Sequence, residues 1–209
     1  MLTKLKQKVQ QLLSSEAKAA HRIGLTPNIV TIIGFALSLF AALAYALVTP
    51  QQPLWLLVAV ILLMASGFCD TLDGILARTY KQASAFGGFL DSLLDRYADA
   101  FTFAGIIISG ASIIFNATFT LVVGLAALAG SFMVSYSRAR AEAAGVKMES
   151  IGIAERPERI IILAATSLVG IFWLPALAIG VLLIAVLATV TVLQRGMHAY
   201  NSLRTKEKV

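Results

Sequence analysis

The chain of 209 residues is 58% hydrophobic and only 13% charged, and its mean hydropathy is +0.83. Soluble domains carry about 25% charged residues, so this composition excludes an ordinary soluble protein and indicates an integral membrane protein. The basic residues behind the net charge of +6 cluster between apolar segments, which favours anionic lipid headgroups over nucleic acid as partners.

The first 25 residues predict an amphipathic helix that lies along the membrane surface. Apolar residues recur at helical spacing on one face, and basic residues fill the other face. The apolar positions are Leu2, Leu5, Val9, Leu12 and Leu13, and the basic positions are Lys4, Lys8, Lys18 and Arg22. A solvated charged tail is the alternative, but it would not need this periodicity. We therefore expect a juxtamembrane helix at 1–25 before a membrane domain at 26–209.

Six apolar segments follow, and together they predict an all-α integral membrane protein with six transmembrane helices. The segments cover 29–48, about 54–78, 86–110, 113–136, 155–169 and 174–193. The loops after the first, third and fifth segments contain no lysine or arginine. The positive-inside rule therefore places both chain ends and the other two loops in the cytoplasm, and the predicted site with them.

The second and third segments carry four carboxylates at helical spacing. Asp70 and Asp73 are three residues apart, and Asp91 and Asp95 are four apart, so each pair lies on one face of its helix. A short connecting loop makes the two helices antiparallel neighbours, which brings the pairs to the same membrane depth. Ionised groups are costly in a bilayer unless they are compensated. The pattern therefore predicts an all-oxygen site for Mg²⁺ or Mn²⁺.

Small residues and an arginine beside this site indicate a phosphate ligand. Gly74 and Gly87 would let a bulky ligand approach the backbone, and Arg78 lies one helical turn beyond Gly74. Structural ion pairing is an alternative, but the nearby basic residues, chiefly Arg78 and Arg96, are too few to neutralise the acids. A divalent-cation transporter or channel is the alternative from another functional class, although a guanidinium beside the carboxylates argues against a cation path.

Seven of these residues, together with Ala77, follow the spacing D-x-x-D-G-x-x-A-R-x8-G-x3-D-x3-D, which resembles the signature of the CDP-alcohol phosphotransferases. Members of this family are integral membrane enzymes of phospholipid synthesis. The resemblance implies that two ions are held by Asp70, Asp73, Asp91 and Asp95, with Asp95 also acting as the general base. It implies CDP-lipid contacts from Gly74, Arg78, Ser84 and the stretch Asn28, Ile29, Val30 and Thr31. Asp99 lies outside the pattern, so we expect it to bond to a neighbouring helix.

Arginines at the cytoplasmic ends of the later segments bear on the second substrate. They are Arg138, Arg140, Arg159 and Arg195. Folding could gather them into a pocket for a phosphate dianion, although a role in topology and headgroup contact would account for some of them.

Three segments, 135–142, 155–159 and 194–195, resemble the branch that makes phosphatidylinositol phosphate or its archaeal ether-lipid counterpart. The implied acceptor is inositol 1-phosphate, with glycerol 3-phosphate as the nearest alternative. The implied donor is CDP-diacylglycerol or CDP-archaeol. The resemblance also implies a homodimer in the cell membrane.

Overall fold

The computed structural model describes residues 14–148 and 151–206, and α-helices make up most of this part of the chain. The helices are α1 (Ser14–Arg22), α2 (Pro27–Ala46), α3 (Trp55–Thr79), α4 (Ala85–Ser109), α5 (Ala117–Ala143), α6 (Arg156–Gly170) and α7 (Pro175–Lys206). The described residues contain no β-strand. The all-α prediction is confirmed, and α2 to α7 correspond to the six predicted segments in order.

Four of these helices, α2, α3, α5 and α7, are long and apolar enough to cross a membrane. Helix α4 has 25 residues but carries three aspartates and an arginine, and α6 has only 15 residues. A helix that spans the hydrocarbon core needs about 20 predominantly apolar residues. Length and composition therefore establish four candidate membrane spans. Helix α4 is excluded from them by its charged residues, and α6 is excluded because it is too short.

The helix ends nearest the acidic residues are fixed by local caps. Thr26 precedes α2, and its Oγ1 accepts the N–H of Ile29. Ser84 precedes α4, and its Oγ accepts the N–H of Gly87 at 2.9 Å. Each hydroxyl satisfies one of the backbone donors that a helix start leaves unpaired. The two caps therefore define where α2 and α4 begin beside the site.

Close helix contacts hold α2 between the two helices that carry the aspartates. A Cβ at Gly34 would lie 2.9 Å from the Cβ of Cys69 on α3. A Cβ at Gly105 on α4 would overlap the carbonyl oxygen of Ala42. Because glycine has no side chain, the backbones approach closely at both points. The positions of α3 and α4 relative to one another therefore depend on α2.

The main apolar core lies toward the end of the bundle away from the acidic residues. Its fully buried members include Tyr45 near the end of α2, Leu56 near the start of α3 and Leu177 near the start of α7. The hydroxyl of Tyr45 is hydrogen-bonded to Ser167 of α6 at 2.9 Å. At about 1.5 Å per residue, Leu56 lies roughly 20 Å along α3 from Asp70. The core thus joins the helices at one end and leaves the other end for polar groups.

Helix α1 lies beside α3, at the end that carries the aspartates. Ala17 and Ala20 are buried against α3, and His21 stacks on Tyr80 with ring centroids 3.7 Å apart. Lys18 is exposed, as expected for the basic face. The apolar positions predicted between 2 and 13 lie outside the described residues, so the amphipathic anchor stays a prediction.

Candidate active site

The carboxylates of Asp70, Asp91 and Asp95 converge between α3 and α4. One oxygen from each lies within 4.8 Å of the other two, and all three residues are partly buried. Oδ1 of Asp91 is buried and accepts no hydrogen bond from the residues that the structure describes, so its lone pairs are available to a cation. An all-oxygen set with an unpartnered carboxylate oxygen suits a hard divalent ion. These residues therefore fit the metal site that the sequence predicts.

Asp73, the fourth predicted ligand, lies at the edge of this group and is bonded to α2. It is only 7% exposed, and its Oδ2 accepts a hydrogen bond from Thr31 Oγ1 at 2.6 Å. Asp73 and Thr31 line a small cavity together with Asp70 and Asp95. The structure thus joins a predicted metal ligand to a residue of the predicted nucleotide stretch.

The site also contains Arg156, which the sequence analysis did not select. Its Nη1 lies 2.6 Å from Asp95 Oδ1 and 3.1 Å from Asp70 Oδ1. Its Nε lies 3.6 Å from Asp99 Oδ1. Its sequence signal is the charged cluster at 155–159, in which Arg159 is the residue predicted to bind the acceptor. Structural ion pairing, which the sequence made the weaker explanation for the buried aspartates, therefore accounts for part of their charge.

The site keeps an excess of negative charge despite this pairing. Arg96, one of the two basic residues that could neutralise the acids according to the sequence, donates to the carbonyl of Ser92 on its own helix. Among the described residues, two guanidinium groups form ion pairs with the acidic cluster, those of Arg156 and Arg159. The acids near them are Asp70, Asp73, Asp91, Asp95 and Asp99. Five carboxylates against two guanidinium groups leave room for further cationic charge.

Asp99 is bonded to a neighbouring helix, as the sequence analysis expected. Its Oδ2 accepts a hydrogen bond from Nη2 of Arg159 on α6 at 2.6 Å. Arg159 is buried and also donates to the carbonyl of Ala154 at 3.1 Å. Of the predicted acceptor arginines, Arg159 is the one that contacts the acidic cluster.

The other predicted acceptor arginines lie around Glu155 or at the surface. Arg195 is only 2% exposed, and its Nη2 donates to Glu155 Oε1 at 2.9 Å. Arg138 lies 3.5 Å from the same oxygen and pairs with Glu142 at 2.9 Å. Arg140 is exposed. The structure therefore brings Arg138 and Arg195 together through a shared carboxylate and leaves Arg140 apart from them.

The predicted CDP contacts come from α2, from α3 and from Ser84, the cap residue that precedes α4. The Arg78 guanidinium lies against Gly74, where a Cβ would meet its Nη1 at 3.2 Å. At Gly87, a Cβ would lie 2.9 Å from Asn28 Oδ1 and 3.0 Å from Ser84 Oγ. Polar groups therefore approach the backbone at both glycines, as the absence of a side chain permits.

Two residues of the stretch at the head of α2 do not direct their side chains to the site. Ile29 is 42% exposed, and Val30 is buried in a cluster with α1 and α3. Asn28 and Thr31, which flank them, do point toward α4 and Asp73. This follows from the helical repeat, because residues three apart share a face and those between them do not.

Comparison with known proteins identifies the family. Residues 24–193 match the sequence family described as CDP-alcohol phosphatidyltransferase. The chain belongs to this family. It is therefore a membrane enzyme of phospholipid synthesis, as the motif around Asp70 indicates, and the alternative of a cation transporter or channel is not supported.

Several named proteins are similar in sequence to this chain, and each similarity covers most of both proteins. The archaetidylinositol phosphate synthase of Pyrococcus horikoshii is 43% identical over 203 residues, which cover 97% of this chain and 98% of the relative. The phosphatidylinositol phosphate synthase of Mycolicibacterium smegmatis is 38% identical over 190 residues, covering 89% and 82%.

Solved structures show the same fold. The phosphatidylinositol phosphate synthase of Mycobacterium tuberculosis with CDP-DAG bound has a TM-score of 0.76 at 32% identity, covering 91% of this chain and 94% of that one. Its complex with manganese and citrate has a TM-score of 0.77 at 33% identity, covering 90% and 88%.

Proposed function

We propose that this enzyme transfers the phosphatidyl-type group of a CDP-activated lipid to inositol 1-phosphate and releases CMP. The observation that carries the proposal is the convergence of Asp70, Asp91 and Asp95 within 4.8 Å in a chain of this family. The relatives are synthases whose products carry a phosphate on inositol, which supports an acceptor that is already phosphorylated. CDP-archaeol and CDP-diacylglycerol are both candidate donors.

The proposed cofactor is a pair of divalent ions, Mg²⁺ or Mn²⁺, held by Asp70, Asp73, Asp91 and Asp95. The unpartnered Oδ1 of Asp91 supports this, and so does the manganese in the solved relative. When bound, such ions polarise a pyrophosphate and stabilise the departing CMP. The carboxylates of α3 and α4 would hold them beside the small cavity.

Asp95 is proposed as the general base. It lines the cavity from α4, so its carboxylate can accept the proton of an acceptor hydroxyl that enters there. The deprotonated oxygen bonds to the phosphorus next to the lipid, and the bond from that phosphorus to the CMP oxygen breaks. The proton stays on Asp95 until the product leaves.

The binding residues are proposed in two groups. Gly74, Arg78, Ser84 and the stretch Asn28, Ile29, Val30 and Thr31 would hold the CDP moiety, with Ile29 and Val30 limited to backbone contacts. Arg138, Arg140, Arg159 and Arg195 would hold the acceptor phosphate. Arg138 and Arg195 both contact Glu155, which brings their guanidinium groups close together, and Arg138 also pairs with Glu142. The guanidinium of Arg195 already donates to Glu155 and to the carbonyls of Ile151 and Val134. Each guanidinium has five N–H donors, so two of those on Arg195 remain for a phosphate.

We further propose that α2 to α7 cross the cell membrane six times, that the site faces the cytoplasm, and that two copies associate. The distribution of lysine and arginine among the loops supports the orientation. The site residues of α2, α3, α4 and α6 also lie at one end of the bundle. Family resemblance is the support for the homodimer.

The test is CMP release by purified protein in vesicles that contain CDP-archaeol or CDP-diacylglycerol, with Mn²⁺ present. Inositol 1-phosphate, inositol and glycerol 3-phosphate are compared as acceptors. We expect rapid release with inositol 1-phosphate and little with inositol, because only the former carries the phosphate that the arginines would bind. Faster release with glycerol 3-phosphate would overturn the acceptor assignment. No release with any acceptor would overturn the proposed reaction.

A further inference from the structure

We infer that Arg156 is an internal counter-ion of the acidic site, and that a divalent cation must displace its guanidinium from Asp70 and Asp95 in order to bind. The inference rests on the proposed metal site, and it adds that the Arg156 guanidinium competes with the metal ion for Asp70 and Asp95. Neither the family motif nor the predicted acceptor arginines include Arg156. Its role would be to set how tightly the site holds cations and to protect the acids when no cation is present.

The position of the guanidinium makes it a competitor. Nη1 of Arg156 lies 2.6 Å from Asp95 and 3.1 Å from Asp70, two of the three carboxylates that could hold an ion. A divalent ion that contacts both carboxylates would lie within a few ångströms of this nitrogen. Two cations at that distance in a partly buried site repel strongly. The guanidinium and the ion therefore exclude one another.

The guanidinium is held by charge more than by directed hydrogen bonds. The side chain is only 14% exposed, yet its Nε and Nη1 make no hydrogen bond of good geometry within the described part of the chain. A bidentate arginine–carboxylate pair has two parallel hydrogen bonds and is difficult to separate. Arg156 lacks that arrangement, so a better-coordinated cation can replace it.

Asp99 provides a second partner for the displaced side chain. The Nε of Arg156 already lies 3.6 Å from Asp99 Oδ1. Oδ2 of the same carboxylate is bonded to Arg159, which leaves Oδ1 for Arg156. A small rotation of the side chain would therefore keep its charge paired after it leaves Asp70 and Asp95.

Local helix preference does not explain an arginine at this position. Arg156 is the first residue of α6, where the helix macrodipole is positive and disfavours a basic side chain. The carboxylates of α3 and α4 offset that penalty. The arginine is therefore held here by its tertiary contacts with the acidic site.

The experiment measures Mn²⁺ binding by the full-length protein from the loss of the free-ion signal in electron paramagnetic resonance, together with the melting temperature with and without Mn²⁺. We expect Arg156→Gln to bind Mn²⁺ about tenfold more tightly than the wild type, because the competing charge is gone. We also expect the melting temperature of the metal-free variant to fall below that of the wild type, and saturating Mn²⁺ to restore it. Arg204→Gln, an exposed change on α7, is the matched control and leaves both values unchanged.

The charge argument is checked with Arg156→Lys, which keeps the cation and should stay within about threefold of the wild-type affinity. Unchanged or weaker Mn²⁺ binding by Arg156→Gln would overturn the inference alone. If that variant fails to fold without metal, folding in Mn²⁺ supports the inference, and failure to recover in Mn²⁺ overturns it. A wild-type protein that binds no Mn²⁺ would overturn the proposed metal site as well.

Discussion

Thr31 donates a hydrogen bond of 2.6 Å to Asp73, and this bond ties the head of α2 to the acidic face of α3. A hydrogen bond to a charged acceptor in a partly buried position contributes about 1.5–3 kcal/mol. It also fixes the direction of the carboxylate. The two residues belong to different predicted groups, the nucleotide contacts and the metal ligands, so the bond couples the two proposed functions.

Thr31→Val should therefore lower both Mn²⁺ affinity and the rate of CMP release, each by about tenfold or more. Valine has nearly the same shape but cannot donate, so Asp73 loses its partner. Thr31→Ser keeps the hydroxyl and serves as the control, with values close to the wild type. Spectroscopic Mn²⁺ titration and the CMP assay measure the two effects. Wild-type values for Thr31→Val would show that the bond has no functional role.

Asp95→Asn should abolish CMP release and leave CDP-lipid binding largely intact. The amide has a similar shape but cannot take a proton from the acceptor hydroxyl. Single-turnover CMP release measures the first effect, and binding of labelled CDP-lipid to the purified variant measures the second. A variant that keeps a near-normal rate would remove Asp95 from the role of base.

Arg195→Lys should raise the KM for inositol 1-phosphate by about tenfold and change the KM for the CDP-lipid less than twofold. Lysine keeps the charge but loses the planar guanidinium, which donates to Glu155, Ile151 and Val134 and would offer its remaining N–H groups to a phosphate. Initial-rate measurements with each substrate varied in turn separate the two constants. Arg204→Lys, an exposed change on the same helix, is the control. Equal changes in both constants would count against an acceptor role.

Gly105→Ala should destabilise the fold by about 1–3 kcal/mol, because the new methyl group overlaps the carbonyl oxygen of Ala42. Gly88→Ala is the matched control on the same helix, since nothing lies within 4 Å of its Cβ position. That control should be neutral or stabilising by up to about 1 kcal/mol, from helix propensity alone. Thermal melting in detergent compares the two. Equal melting temperatures would show that α2 and α4 can separate at little cost.

The acidic site could be predicted from the sequence because its residues lie on two consecutive helices joined by a short loop. Asp70 and Asp73 share one helix, Asp91 and Asp95 share the next, and the connection from Thr79 to Ser84 is too short for the helices to separate. Helical spacing and a short loop are enough to bring such groups together.

The arginines could not be placed in the same way, because α6 and α7 reach the site only through tertiary packing. Arg156 and Arg159 are one helical turn apart, yet one contacts Asp95 and the other contacts Asp99. Helical phase does separate Arg138 from Arg140, since side chains two residues apart point to nearly opposite faces. That signal indicates that the two side chains point apart, and tertiary packing decides which of them faces solvent. The site also affects how many membrane-spanning helices can be recognised. Helix α4 carries charged residues of the site, so its composition does not identify it as a membrane span.

The apolar core around Tyr45, Leu56 and Leu177 has a consequence for protein engineering. This part of the core anchors the scaffold roughly 20 Å along α3 from Asp70. The buried Arg159, by contrast, lines a cavity with core residues such as Leu163, whereas Arg140 is exposed. Redesign for a different headgroup should therefore begin at exposed positions, where exchange leaves that anchor intact.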